Sequence, residues 1–230
     1  MKKRFDSLIS KIKDEVLEEI SYILLILWVI SPIIEYILKF FVQNFYTYYY
    51  TIMIYIIGSL GIIFYFIYFI RQRKKEYFDI KKSFPKILLL ILVILATISS
   101  FLSKDIYLSF FGEHYRKEGL IVYLMYIGIM MLATFIKNKK YLQNLFNIII
   151  LSALFITIMP LFEDNFTYNN FANVFYQFNH YGYYLMLSSM ISGCMFIETD
   201  NYQKIIYLIA FAFLYIRKVR SNLKKYKKSI

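Results

Sequence analysis

A single cysteine in 230 residues excludes an intrachain disulfide framework, and Cys194 lies inside an apolar block, where packing is the default role of a thiol. Three prolines and seven glycines leave no Pro-rich or Gly/Ser-rich linker. No polar segment between apolar blocks is long enough to bury a core, so no soluble domain is expected, and no internal repeat is present. P-loop, dinucleotide and Ser-His-Asp patterns are also missing, which removes the common signatures of nucleotide chemistry and serine hydrolysis. Histidine is scarce: His114 and His180 are the only two.

Apolar residues, by contrast, make up 60% of the chain, against about 45–50% in soluble domains. They fall in blocks of about 20, the length needed to cross the hydrocarbon core of a bilayer. The predicted fold class is all-α: a polytopic transmembrane helix bundle of about six spans plus a short seventh apolar segment. The abundant Tyr and Phe suit lipid interfaces, although the accompanying excess of Ile, Lys and Asn fits a biased nucleotide composition equally well. A net charge of +12 raises nucleic-acid binding as a possibility. Lys and Arg cluster beside the apolar blocks, however, where the positive-inside rule expects them, so no nucleic-acid partner is assigned.

Taken in order, residues 1–19 form a cytoplasmic amphipathic segment, with Phe5, Leu8, Ile9, Ile12 and Val16 at helical spacing between Lys and acidic residues. The apolar block that follows is too long for a signal peptide and lacks a small-residue cleavage site. Spans are expected at about 20–42, 48–70, 85–102, 119–136, 141–161 and 181–197. The segment RQRKKEYFDIKKSFPK after span two and KNKK after span four both read as cytoplasmic, as do Lys2, Lys3 and Arg4. Four consecutive assignments thus agree with the charge rule. They place the loops at about 103–118 and 162–180 outside the cell (plasma or inner) membrane, with the N-terminus inside. The block at 205–216 is about twelve residues long, where a span needs about 20. Two expectations stand for it: an interfacial segment whose basic tail, residues 217–230, stays cytoplasmic, or a chain that stops short of where a longer relative continues. The bundle is bounded at 20–216.

Pro32 inside span one predicts a kink, with neighbouring groups re-satisfying the freed carbonyl. Glu35 faces the bundle interior on one reading; on the other it sits near the outer end with Lys39 one turn on. No small-xxx-small seam stands out, so the sequence offers no oligomeric state.

Within the first outer loop, Arg116 could clamp a phosphate or pyrophosphate in bidentate fashion, or snorkel to lipid headgroups. Gly119 at the helix start would let a ligand approach the backbone. His114 is two residues from Arg116, whose charge favours the neutral imidazole that a base requires; a solvated loop histidine is the alternative.

The stretch FFGEHYRKEGLIVYLMY resembles the G-x-x-x-R-x-x-G-L segment of the O-antigen ligase and O-antigen polymerase superfamily, which follows an outer loop and opens a span. FNHYGYYLML is similar to that family's N-x-x-G-x-x-L stretch, through Asn179, Gly182 and Leu185, with His180 where His or a similar residue is frequent. The resemblance implies a membrane glycosyltransferase that joins or transfers polyprenyl-pyrophosphate-linked glycans on the outer face. For Arg116 it implies pyrophosphate contact; for Asn179 and His180, shaping of the donor site or the helix entry. Transfer needs a base for the acceptor hydroxyl and cations for the departing pyrophosphate. The resemblance implies no cofactor and no metal; the partners are membrane lipid and the lipid-linked glycan. It covers about residues 20–210, comparable to the N-terminal half of a full member, so a later outer loop carrying further arginines and the catalytic histidine is expected to be missing. A non-catalytic small multispan protein, either a transporter subunit or an assembly partner, is the alternative of a different class.

Overall fold

The computed structural model describes residues 14–41, 49–72, 80–112, 119–158, 178–200 and 202–227. Among them the chain is helical with no strand: α1 (Asp14–Phe41), α2 (Tyr49–Gln72), α3 (Ile80–Phe101), α4 (Ile106–Phe111), α5 (Leu120–Ala133), α6 (Lys139–Ile158), α7 (Phe178–Glu198) and α8 (Gln203–Lys227). Among the described residues three segments are long and apolar enough to cross a membrane: Asp14–Leu38, Ile52–Ile70 and Lys139–Ile158. Ile91–Phe101 and Leu120–Ala133 are shorter apolar helices.

Two boundaries differ from the sequence reading. α1 is one continuous helix of 28 residues, about 42 Å long, so no break separates the amphipathic segment from span one near residue 20. Asp14 and Glu15 in its first turn complement the positive end of the helix dipole. At the other end of the chain, α8 runs for 25 residues instead of the twelve or so of its apolar block. It lies lengthwise on α7.

The chain divides into two units. The first comprises Met1–Leu25 and Thr51–Lys137, the second Ile26–Tyr50 and Asn138–Ile230, so α1 contributes to both. In the first unit α2 and α5 meet through glycine. A Cβ on Gly61 would strike the carbonyl oxygen of Gly128, and one on Gly128 would strike that of Gly58. Small residues let two backbones approach in this way when dispersion, rather than water exclusion, holds helices together. The seam that sequence inspection did not find therefore exists, inside the chain, on a three-residue spacing at Gly58 and Gly61. Further along the same pair, the rings of Tyr68 and Phe135 meet edge to face at 5.2 Å. Residue numbers rise together along both helices, so α2 and α5 run parallel. The turn after α5 is tied to α1, where a Glu18 carboxylate oxygen accepts from the Lys137 N–H at 2.7 Å.

In the second unit Pro32 deprives the Trp28 carbonyl of its usual N–H donor. The Ser31 hydroxyl donates to that carbonyl at 2.6 Å, which is the expected repair. One residue on, the Val29 carbonyl accepts from the Ser152 hydroxyl of α6 at 3.3 Å, and Ser152 accepts from the Tyr184 hydroxyl of α7 at 2.9 Å. Tyr36 and Phe155 pack edge to face at 6.3 Å, so α1 and α6 run parallel. α7 returns antiparallel to α6. α8 then runs back along α7, with Ile150, Met195 and Ala210 in one buried cluster and Ala153, Leu185 and Leu214 in another. Ser192 donates to the Tyr207 carbonyl at 2.8 Å, and the Tyr207 hydroxyl donates to Asn147 Oδ1 at 2.7 Å. Glu35 is 2% exposed, which selects the interior over the outer-end placement.

Two buried serines make opposite predictions. Ser152→Ala removes the acceptor of the Tyr184 hydroxyl and the donor to the Val29 carbonyl, and should lower stability by about 1 kcal/mol. The Ser21 hydroxyl is buried with no hydrogen-bond partner, so Ser21→Ala should be neutral or slightly stabilising. Thermal unfolding of the detergent-solubilised variants measures both, and equal losses at the two positions would contradict the assignment.

Candidate functional site

Residues 102–112, after α3, carry more local structure than a connecting segment needs. Ser103 and Asp105 exchange hydrogen bonds, the Ser103 hydroxyl donating to the Asp105 carbonyl at 3.0 Å and accepting from the Asp105 N–H at 3.2 Å. The Asp105 carboxylate accepts from the Leu108 N–H at 2.9 Å and so caps α4, a short helix inside the 103–118 stretch read as loop. Gly112 ends that helix with φ 77°, a conformation that favours glycine, and its N–H donates to the Leu108 carbonyl at 2.8 Å.

Gly119 is the N-cap of α5 and is buried. A Cβ placed on it would strike the Phe110 carbonyl and lie 2.5 Å from the Gly112 nitrogen. The close backbone approach expected at this glycine is therefore made by the chain itself. Its consequence is geometric: Gly112 and Gly119 are neighbours in space. His114 and Arg116 fall between them in sequence and lie outside the described residues. The ring pair Phe101–Phe110, edge to face at 5.0 Å, fixes the stem against the end of α3.

Asn179 and His180 fall in the first turn of α7, whose backbone is described there; their side chains are outside the described residues. The turns that follow are anchored. The Tyr181 hydroxyl reaches Thr157 Oγ1 at 3.5 Å, Tyr184 bonds Ser152, and Leu185 is fully buried. Gly182 differs from Gly119: nothing lies within 4 Å of where its Cβ would be, so the helix surface one turn below Asn179 is open. Gly112 and Gly119 belong to the first unit, and Asn179 and His180 to the second.

Three features escaped the sequence reading. The Asp105 cap had a signal, a short polar residue before an apolar run. Gly112 had a weaker one, a glycine closing that run. The partners of Tyr181 and Tyr184 had none, because a tyrosine in an apolar block does not announce which serine it will meet.

Among the described residues no three His, Cys, Asp or Glu side chains are grouped so that they could hold a metal ion. Comparison with protein-family models, curated proteins and solved structures finds no match.

The two glycines separate by substitution. Gly119→Ala drives a methyl into the Phe110 backbone and should destabilise by about 1–3 kcal/mol, whereas Gly182→Ala should change stability by less than about 0.5 kcal/mol. Unfolding in detergent reads the difference; a tolerated Gly119→Ala would overturn the stem.

Proposed function

We propose that the chain binds a polyprenyl-pyrophosphate-linked glycan at the outer face of the cell membrane, as the donor-binding part of a glycosyltransferase that polymerises or ligates surface polysaccharide. The observation that carries this reading is the stem of 112 and 119. Gly112 and Gly119 are held together before any ligand arrives, which lowers the entropy cost of ordering what joins them, and the joining sequence carries one arginine, Arg116, just before the apolar start of α5. A planar guanidinium suits a pyrophosphate through paired, charge-assisted hydrogen bonds.

The reaction proposed is attack of an acceptor hydroxyl on the anomeric carbon of the donor sugar. The new C–O bond forms as the bond to the pyrophosphate oxygen breaks, and the polyprenyl pyrophosphate departs with that electron pair. Arg116 stabilises the charge developing on the leaving group, and the acceptor proton goes to a base, for which His114 is the nearest imidazole in sequence.

The topology that accompanies this reading has six crossings, with the N-terminus cytoplasmic. Helix direction supports it: α1 runs parallel to α6, α2 parallel to α5, and α7 antiparallel to α6, as alternate crossings require.

Membrane vesicles containing the full chain and supplied with a polyprenyl-pyrophosphate oligosaccharide test the proposal. Arg116→Ala should weaken binding at least about tenfold, the loss of one charge-assisted contact, with Arg116→Lys intermediate. No binding, or binding indifferent to Arg116, would favour a non-catalytic multispan partner instead.

A further inference from the structure

α3 and α4 together present a surface that water would not tolerate. None of the described side chains of α3 from Leu88 onward is buried, and Ile91, Leu92, Ile94, Leu95 and Ile98 are exposed on successive sides of the helix. The hydrocarbon of a bilayer accounts for such a surface. After a four-residue turn α4 folds back, held by the Phe101–Phe110 ring contact. It has no buried residue, although every residue in IYLSFF except Ser109 is apolar or aromatic. Leu102 is 81% exposed and Tyr107 69%, and the Tyr107 and Phe111 rings lie against each other at 4.9 Å, so these side chains form one patch.

This patch continues the exposed face of α3 without a polar break. Its aromatic content matches the belt that membrane proteins place at headgroup level. The turn is also prepared for poor hydration: Ser103, Asp105 and the Gly112 N–H satisfy the backbone at both ends of α4 from within the chain. Between the end of α3 and α4 lies an open groove of about 690 Å³, lined by Leu95, Ile98 and Leu102 together with Ser99, Ser103 and Ser109. Apolar lining beside hydroxyls is the composition met where acyl chains give way to headgroups.

We propose that α4 is a membrane-docking element that lies in the headgroup–acyl boundary, its lipid contact made by Leu102, Ile106, Tyr107 and Phe111. A soluble partner would need a patch distinct from the lipid-facing surface, and this one is continuous with it. The stem at Gly112 and Gly119 is thereby carried at the depth of the lipid phosphates. The inference needs only that α3 lies in a bilayer; it is independent of glycan chemistry and survives if Arg116 proves irrelevant.

Site-directed spin labelling of the full chain tests it, in a Cys194→Ser background reconstituted into vesicles of phosphatidylethanolamine and phosphatidylglycerol. Labels at Tyr107→Cys and, separately, Phe111→Cys should be relaxed by oxygen more than by an aqueous nickel chelate, at a depth of about 5–10 Å into the boundary. A label at Lys104→Cys, on the exposed turn, should show the reverse. If positions 107 and 111 respond to the chelate as position 104 does, the loop is solvated and the proposal fails. If both are shielded from both reagents, a protein surface covers them and the proposal equally fails.

Discussion

The hydroxyl of Tyr184 bonds Ser152, and Ser152 bonds the carbonyl of Val29, so a single chain of two hydrogen bonds ties α7, α6 and α1 together. It does so beside Pro32, where α1 has lost an internal donor and where Ser31 has already repaired the neighbouring carbonyl. In an apolar surrounding an orphaned polar group is costly, so polar groups there tend to be partnered within the chain, the Ser21 hydroxyl and the Trp28 indole N–H being exceptions. Much of the second unit follows from that constraint. Tyr181 meets Thr157, Ser192 meets the Tyr207 carbonyl, and the Tyr207 hydroxyl meets Asn147. These bonds set the register of α7 against α6 and of α8 against both, and the apolar clusters at Ile150 and Leu185 fill in around them.

The first unit answers the same constraint differently. Where hydrocarbon is the solvent, apolar contact between helices gains little over contact with lipid, and close backbone packing becomes the usable attraction. Gly58, Gly61 and Gly128 supply it between α2 and α5, while Gly112 and Gly119 use it to close the stem below residues 113–118. The same property of glycine thus builds a span contact in one place and shapes a candidate ligand loop in another.

Much of this was legible in the sequence, for identifiable reasons. Blocks of apolar residues give helices because only a helix satisfies its own backbone in lipid. The repair of the freed Trp28 carbonyl beside Pro32 followed from the chemistry of proline alone. Glu35 was legible only as an alternative: its cost forces it inward or to an end, and burial chose the interior. The glycine seam was passed over because Gly58 and Gly61 are three residues apart, not four, and their partner Gly128 lies far along the chain. α8 was undercounted because apolar length stops at Ile216 while the helix continues through a basic stretch that still favours helix. At the candidate site, Gly119 was read as a place for a ligand to approach, and its own loop takes that space. Arg116 and His114 lie outside the described residues and remain as the sequence left them.

The charge rule carries the proposed topology, in which positions 114 and 180 lie outside the membrane and position 138 inside. Single cysteines at positions 114, 180 and 138 in a Cys194→Ser background, labelled in intact cells with a membrane-impermeant maleimide, test it directly. The account predicts that 114 and 180 react from outside and that 138 reacts only after the membrane is permeabilised. Labelling of 138 in intact cells, or of only one of 114 and 180, would contradict it.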